Sequence, residues 1–177
     1  MPAPLRPAPP RSASAGGSVR AVVGREAKVL TVSSSGAAGE REDASGEALA
    51  EALAARGYAV LERRVVPDGI ESVAAALFDL CAGFAGLVVT TGGTGFGPFD
   101  LTPEATRRVI EREAPGIGEA MRASSPRGPL SRGVAGTIGR CLVVNVPGSP
   151  RGALESLEAV ADVLPHALEL LAGGMPH

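Results

Sequence analysis

The sequence has no tryptophan, only two cysteines and an aromatic content of 3% in 177 residues. Proteins that bind single-stranded nucleic acid stack bases on aromatic side chains, so this scarcity argues against that class. Residues 1–25 contain four arginines and no acid, which leaves 13 basic and 19 acidic side chains, a net charge of −6, in the rest of the chain. That body lacks the basic surplus needed to follow a phosphate backbone. We therefore expect no nucleic-acid partner.

The sequence also lacks long apolar runs. No stretch approaches the roughly 20 apolar residues that a membrane-spanning helix needs, and no signal-peptide core is visible near the N-terminus. Residues 1–25 are rich in Pro, Ala and Ser, a composition that predicts a disordered tail. Cys81 and Cys141 lie in apolar segments and are expected to be buried, reduced thiols. We expect a cytoplasmic protein with no membrane partner and a single domain over 26–177.

From about residue 27, short apolar runs alternate with helical periods. Strands are predicted at 27–32, 58–66, 87–91 and 141–146. Helices are predicted through 49–53 with an end at Gly57, at 70–81, at 102–112, at 117–123, and from 149 to 171 with a kink at Pro165. This order predicts an α/β fold, a three-layer α/β/α sandwich with a mainly parallel central sheet. Ligands of such sheets bind beyond the carboxyl ends of the strands, which selects the loops at 33–46, 67–69, 92–102 and 147–149.

The strongest local signal is TTGGTGFGPFD at 90–100, which follows a strand with no polar alternation. Its glycines allow the backbone to approach an anion closely, and exposed N–H groups can form an anion-binding concavity. The segment is not a Walker A loop, because no Gly-Lys-Ser/Thr follows, and Pro98 and Phe99 interrupt the spacing of a dinucleotide fingerprint. A plain glycine-rich turn is the alternative interpretation.

Two aspartates follow strands in these loops. If both loops flank one crevice, Asp68 and Asp100 can share a Mg²⁺ ion, which uses few carboxylates together with phosphate oxygens of a substrate. The alternative for Asp68 is a capping box with Glu71 at the start of the next helix, and the alternative for Asp100 is a turn residue. Both alternatives stay open at this point.

The remaining polar loops offer weaker candidates. The hydroxyl-rich loop at 33–46 fits a flexible rim over a nucleotide, or a helix cap at Asp43 or Ser45. Arg132 suits bidentate pairing with a phosphate, although a surface arginine with no such role fits equally well. We assign no catalytic role to His166 or His177.

Taken together, the loops resemble the molybdopterin adenylyltransferase family, the MogA/MoaB-type and gephyrin-G-type proteins of molybdenum cofactor synthesis. The matching segments occur in the family's order and span nearly everything after the tail. They are TVSSSGAAGEREDASG (31–46), VVPDGIESV (65–73), TTGGTGFGPFDLTPEAT (90–106), LSRGVAG (130–136) and VVNVPGSPRGALE (143–155). The combination of TTGGTG with the D-x-T-P-E-A-T that follows is the most specific part.

The resemblance implies the molybdopterin-binding-domain fold and Mg²⁺-dependent transfer of AMP from ATP to molybdopterin, with release of pyrophosphate. It implies molybdopterin and ATP as partners, a homotrimer or a hexamer, and Asp68 and Asp100 as catalytic acids that also hold the metal. The expected substrate-binding residues are Thr91, Gly92, Gly93, Thr94, Gly95, Ser131, Pro147 and Gly148, together with Arg132.

The sequence departs from the family pattern at two positions. Ser34 stands where the family commonly has Asp, and Phe99 stands where Arg or another polar residue is frequent. A non-catalytic molybdopterin-binding paralogue is therefore an alternative to the enzyme. A nucleotide hydrolase of the competence-damage type on the same fold is a third possibility, and the intact TTGGTG and TPEAT motifs argue against it.

Overall fold

The computed structural model describes residues 25–174, so the tail predicted over 1–25 lies outside the described residues except for Arg25. In chain order, the strands are β1 (Glu26–Val32), β2 (Ala59–Val66), β3 (Leu87–Thr91), β4 (Arg112–Glu113), β5 (Ala135–Ile138) and β6 (Cys141–Val146). The helices are α1 (Ser34–Ala37), α2 (Ala44–Ala55), α3 (Ile70–Cys81), α4 (Thr102–Arg107), α5 (Pro115–Ala123), α6 (Pro150–Val160) and α7 (Leu164–Leu171), and a 3₁₀ turn covers Gly128–Leu130.

The strands form one sheet in the order β2-β1-β3-β6-β5-β4. The first four strands are parallel, with Val29 opposite Val89 and Val89 opposite Val144. β5 and β4 extend the sheet in the antiparallel direction. Every residue of β3 and β6 is buried, as expected for central strands with both faces covered. The predicted mainly parallel sheet is confirmed.

Alternate side chains of the central strands pack into two separate hydrophobic cores, because successive side chains of a strand point to opposite faces of the sheet. Val29 of β1 belongs to the core that Leu53 of α2 and Leu157 of α6 complete. Leu30, the next residue, belongs to the core on the other face, which contains Leu77 of α3. Helices therefore cover both faces, and the predicted three-layer arrangement is confirmed.

Two predicted helices have different bounds in the structure. The helix predicted over 102–112 ends at Arg107, because Arg112 and Glu113 pair with β5 instead. The helix predicted over 149–171 is two helices, since α6 ends at Val160 and Pro165 lies in the first turn of α7, where proline removes no helical hydrogen bond. The loop predicted at 33–46 contains the short helix α1.

Cys81 and Cys141 are buried free thiols, as predicted, and their sulfurs lie 3.0 Å apart. The Cys81 sulfur and burial raise the pKa of the Cys141 thiol.

Within residues 25–174 the longest helices have 12 residues, and none has the length and apolarity required to cross a membrane.

Candidate functional site

A pocket of about 640 Å³ opens at the carboxyl ends of β3 and β6. The chain leaves β3 towards α4 and the core on one face, and it leaves β6 towards α6 and the core on the other face. Loops that diverge in this way leave a crevice between two neighbouring parallel strands, which is where such sheets bind ligands. The volume lies in the range of about 300–1,000 Å³ that is usual for small-molecule sites. Predicted site residues that line the pocket are Gly93, Thr94, Gly95, Asp100, Ser131, Pro147 and Gly148.

The glycine loop after β3 is folded tightly against β1 and α4. Gly92 and Gly93 have φ values of +100° and +64°, a region that side chains other than glycine rarely adopt. A Cβ on Gly92 would lie 2.3 Å from the Val32 carbonyl oxygen, and a Cβ on Gly93 would lie 2.3 Å from Thr102 Oγ1. The glycines are therefore required by backbone shape and close packing, whatever the loop binds.

The position of Thr102 at the start of a helix, directly before Pro103, predicts that it is the N-cap, and the structure gives it a different role. The cap position of α4 is Leu101, which makes no side-chain cap, and the Thr102 hydroxyl donates to the Gly92 carbonyl at 2.9 Å. The cap interpretation is wrong because the buried hydroxyl finds a partner in the glycine loop instead. The bond joins the first turn of α4 to the bottom of that loop.

Thr91 and Gly92 lie beneath the pocket, and neither is among the residues that line it. The Thr91 hydroxyl donates to the Pro147 carbonyl at 2.8 Å, and the Gly92 N–H donates to the Val146 carbonyl at 3.3 Å. A Cβ on Gly148 would lie 3.1 Å from the Gly92 Cα. These contacts hold the turn after β6 against the glycine loop, so the two sides of the pocket form one packed unit.

Asp100 combines a turn role with a position on the pocket. Its Oδ2 accepts a hydrogen bond from the Gly97 N–H at 2.7 Å, and a Cβ on Gly95 would lie 2.9 Å from the same oxygen. No residue in the described range donates to the other carboxylate oxygen, Oδ1. The carboxylate is therefore fixed through one oxygen and can serve a ligand or a cation through the other.

Asp68 is held by the loop after β1 and does not cap α3. Its Oδ2 accepts from the Ser34 N–H at 2.9 Å and from the Ser34 hydroxyl at 2.7 Å. The cap position of α3 is Gly69, and no side chain caps it, so the capping-box interpretation is wrong. Asp68 lies at the carboxyl edge of β2, and it is not among the residues that line the pocket beside Asp100.

Arg132 points to the glycine loop. Its backbone N–H donates to the Thr94 carbonyl at 2.8 Å and its Nε donates to the Gly95 carbonyl at 2.7 Å. Nη2 donates to the Asp100 carbonyl, and Nη1 pairs with the Glu104 carboxylate. This hydrogen bond from Arg132 lowers the pKa of Glu104. Most of the guanidinium donors that were expected to meet a phosphate are thus engaged by the protein itself.

Three arginines that the sequence analysis did not single out line the pocket. Arg122 donates to the Gly133 carbonyl at 3.0 Å, and Arg151 pairs with Glu155 at 2.7 Å. Arg127 also lines the pocket, and it is exposed. Arg127 belongs to the loop SSPRGPLSR at 124–132, and a loop without periodicity does not show which side chains face a pocket.

A buried polar group supports the pocket floor. Asn145, 1% exposed, donates through Nδ2 to Thr90 Oγ1 at 2.9 Å and to Thr106 Oγ1 at 3.1 Å. Its Oδ1 accepts from the Val134 N–H at 3.2 Å. One side chain thus links β3, β6, α4 and the segment that follows Arg132. Sequence reasoning missed it because Asn145 occurs inside an otherwise apolar strand.

The donor set can be compared with the needs of Mg²⁺. Residues 25–174 contain no group of three or more His, Cys, Asp or Glu side chains placed to hold a metal. Mg²⁺ commonly uses one or two carboxylates together with water and substrate phosphate oxygens, so it does not require such a group. Asp100, with one carboxylate oxygen unengaged beside the pocket, fits this pattern. Joint binding of one ion by Asp68 and Asp100 stays a prediction.

The comparisons with known proteins agree with this geometry. A family model described as "Probable molybdopterin binding domain" matches residues 28–166. The chain belongs to this family. The match covers both walls of the pocket, and the resemblance inferred from TTGGTG and DLTPEAT is confirmed.

Three proteins are similar to this chain along most of their own length. A Helicobacter pylori J99 protein named molybdopterin adenylyltransferase is 39% identical over 152 residues, which are 82% of this chain and 86% of the relative. The crystal structure of the molybdopterin biosynthesis enzyme MoaB from Thermus thermophilus is 47% identical, with a TM-score of 0.78 over 84% of this chain and 96% of that one. A molybdopterin biosynthesis protein from Mycobacterium abscessus is 35% identical, with a TM-score of 0.80 over 85% and 98%.

Proposed function

We propose that this chain is a molybdopterin adenylyltransferase of molybdenum cofactor biosynthesis. In the proposed reaction it transfers AMP from ATP to the terminal phosphate of molybdopterin, with Mg²⁺, and releases pyrophosphate. The family match and the 39% identical relative of that name support the activity. The structural observation that carries it is one pocket lined by the glycine loop, Asp100 and Ser131.

The charges around the pocket suit a phosphorylated substrate. The body of the chain carries a net charge of −6, so attraction by the whole surface does not favour an anion. The pocket nevertheless gathers three arginines, Arg122, Arg127 and Arg151, against two acids, Asp100 and Glu155. Anion capture is therefore local, and it uses these guanidinium groups together with backbone N–H groups of the glycine loop.

Each side chain has a distinct part in the proposed reaction. A molybdopterin phosphate oxygen attacks the α-phosphorus of ATP in line, the new P–O bond forms, and the bond to pyrophosphate breaks. Bound Mg²⁺ would neutralise charge on the phosphates, and Asp100 is the pocket residue that would hold it. Ser131 Oγ accepts from the Gly133 N–H at 3.3 Å, so its own O–H can donate to a phosphate oxygen. Catalysis of this kind depends mainly on positioning and charge stabilisation.

Asp68 has a separate place in the proposal. The turn after β2 carries it, two strands from β3 in the sheet, and Ser34 fixes its Oδ2. We propose that Oδ1 of Asp68 binds the magnesium–nucleotide complex from the side of the sheet where β2 lies.

We propose further that the protein assembles as a homotrimer or a hexamer in the cytoplasm. The molar mass in solution, measured by light scattering, tests the number of subunits.

The activity is tested by incubating the full chain with molybdopterin and Mg-ATP and measuring pyrophosphate. We expect one pyrophosphate for each adenylylated molybdopterin and none without Mg²⁺. Asp100→Asn keeps an oxygen for the Gly97 N–H but removes the charge, and we expect kcat to fall about a hundredfold, as when a charged electrostatic group is lost. Asp79→Asn, which changes an exposed carboxylate paired with Arg64, is the matched control and should keep full activity.

Two results would contradict the proposed activity, and a third would contradict the role of Asp100. Binding of molybdopterin without pyrophosphate release would identify the chain as a non-catalytic binding paralogue. Cleavage of ATP at equal rates with and without molybdopterin would identify it as a nucleotide hydrolase. Full activity of Asp100→Asn at saturating substrate would show that Asp100 has no part in the reaction.

A further inference from the structure

One guanidinium connects both ends of the segment that lines the pocket mouth. Arg132 donates from Nε to the Gly95 carbonyl, at 2.7 Å, and from Nη2 to the Asp100 carbonyl. Its own backbone N–H donates to the Thr94 carbonyl at 2.8 Å. The segment from Thr94 to Asp100 is otherwise exposed over most of its length, and Phe96 and Phe99 are 72% and 73% exposed. Because few buried side chains hold this segment, the hydrogen bonds from Arg132 are its main contacts with the rest of the fold.

Glu104 fixes the direction of that guanidinium. It lies in the first turn of α4 and pairs with Nη1 of Arg132, and its second oxygen lies 3.4 Å from Nη2. The hydrogen bond from Arg132 holds the pKa of Glu104 below its ordinary range, so the pair is ionised around neutral pH. α4 itself is joined to the bottom of the loop by the Thr102 hydroxyl. The pair thus connects the loop to a rigid element.

Asp100 is the residue on which these contacts converge. Its carbonyl accepts from Arg132, and its carboxylate Oδ2 accepts from the Gly97 N–H at 2.7 Å. With both its backbone and one carboxylate oxygen fixed, Asp100 has few orientations left for its second oxygen. A carboxylate that must meet a metal-bound phosphate benefits from this restriction, because small displacements of a reacting group are costly.

We propose that Arg132 and Glu104 form a positioning pair that sets the glycine loop and the Asp100 carboxylate for reaction, and that Arg132 does not bind substrate. The kinetic part of this inference rests on the proposed function. The geometry requires arginine, since the planar fork reaches two carbonyls and a carboxylate at once, whereas a lysine ammonium is a single point donor group on a flexible stem. Glu104 has no place on the pocket wall and acts through Arg132.

The first test measures hydrogen–deuterium exchange and does not depend on activity. Arg132→Lys and Glu104→Gln should each accelerate exchange of amides in the segment 94–101 by about tenfold, the effect of losing one charge-assisted hydrogen bond. Exchange in β1 should be unchanged. Arg108→Lys is the matched control, because Arg108 caps the other end of α4 and pairs with the exposed Glu71. It should leave exchange in 94–101 as in the parent chain.

The second test separates kcat from KM in pyrophosphate release. For a positioning pair, Arg132→Lys and Glu104→Gln should each lower kcat about tenfold, with KM for ATP and for molybdopterin changed less than about threefold. The double variant should have about the same kcat as either single variant, because both substitutions disrupt the same Arg132–Glu104 ion pair. Arg108→Lys should keep the parent values.

Three results would overturn the inference. A raised KM in Arg132→Lys with unchanged kcat and no effect of Glu104→Gln would show that Arg132 binds substrate directly. A lower melting temperature with exchange raised equally in all segments would show a purely structural ion pair. Unchanged exchange in 94–101 would show that the pair does not fix the loop. If the parent chain released no pyrophosphate, the proposed function would fall, and the exchange experiment would still decide whether the pair positions the loop.

Discussion

Ser34 and Asp68 are joined by hydrogen bonds in both directions across the loops that follow β1 and β2. The Ser34 N–H and hydroxyl approach Asp68 Oδ2 at 2.9 and 2.7 Å, and the Asp68 N–H lies 3.1 Å from Ser34 Oγ. The carboxylate also lies at the N-terminal end of α1, where negative charge is favoured. Ser34, a departure from the family pattern, thus orients one of the two proposed acids by donating hydrogen bonds to it.

Removal of this hydroxyl gives the first prediction. Ser34→Ala keeps the backbone N–H but removes both the 2.7 Å bond to Asp68 Oδ2 and the acceptor of the Asp68 N–H. We expect the free energy of unfolding to fall by about 0.5–1 kcal/mol, because the site is exposed. If Asp68 acts in the reaction, kcat falls as well. Urea denaturation and pyrophosphate release measure the two effects. Ser35→Ala in the same short helix is the control, and an equal loss in both variants would contradict the special role of Ser34.

The Glu104–Arg132 pair predicts a pH dependence of stability. The hydrogen bond from Arg132 lowers the folded-state pKa of Glu104 below its ordinary value of 4.5. The unfolded state therefore binds this proton more readily, so the stabilisation is present above about pH 4.5 and is lost as the pH falls through the folded-state pKa. Urea denaturation of the parent chain and Glu104→Gln should show a difference in unfolding free energy that narrows in this acidic range. A difference that is constant with pH would contradict the prediction.

The sequence predicted the fold well where apolar patterns are long and continuous. The buried runs of β3 and β6 and the Gly-rich turn after β3 were sufficient to infer a parallel sheet with a site at its carboxyl edge. β4 and β5 were missed because they have two and four residues and contain no alternating apolar pattern. β5 forms by pairing with the neighbouring β6, and β4 forms by pairing with β5, with Arg112 opposite Thr137, a contact that no local window contains.

The candidate site was predictable in its residues but less so in their roles. The motif residues Asp100, Ser131 and Gly148 do line one pocket. A cap on α3 was the alternative interpretation of Asp68, whereas Ser34, distant in sequence, donates hydrogen bonds to its carboxylate. Arg132 was expected to face a phosphate, whereas backbone carbonyls of the loop take its donors. Motifs in the sequence identify the residues of the site, but the hydrogen-bond partner of each side chain depends on contacts between separate loops.

The glycine loop gives a prediction about backbone shape. In Gly93→Ala the new Cβ meets Thr102 Oγ1 at 2.3 Å in addition to the strain of a φ of +64°. We expect a loss of about 2–3 kcal/mol in unfolding free energy and of most activity. Gly139→Ala is the matched control, since its φ is +56° and its Cβ meets nothing within 4 Å, and it should cost about 1 kcal/mol. Equal losses in the two variants would show that the contact with Thr102 is unimportant.

The buried Asn145 gives the last prediction. In Asn145→Asp the volume is kept, but the two hydrogen bonds that Nδ2 donates to Thr90 and Thr106 are lost and a carboxylate is placed at a site that is 1% exposed. An uncompensated buried charge is costly, so we expect unfolding free energy to fall by about 3 kcal/mol near neutral pH. The loss should shrink in acid, where the carboxyl group is neutral and can donate one hydrogen bond. Thr106→Val removes one acceptor without adding charge and should cost about 1 kcal/mol at every pH. A loss in Asn145→Asp that does not change between neutral and acidic pH, measured by urea denaturation, would show that charge burial is not its cause.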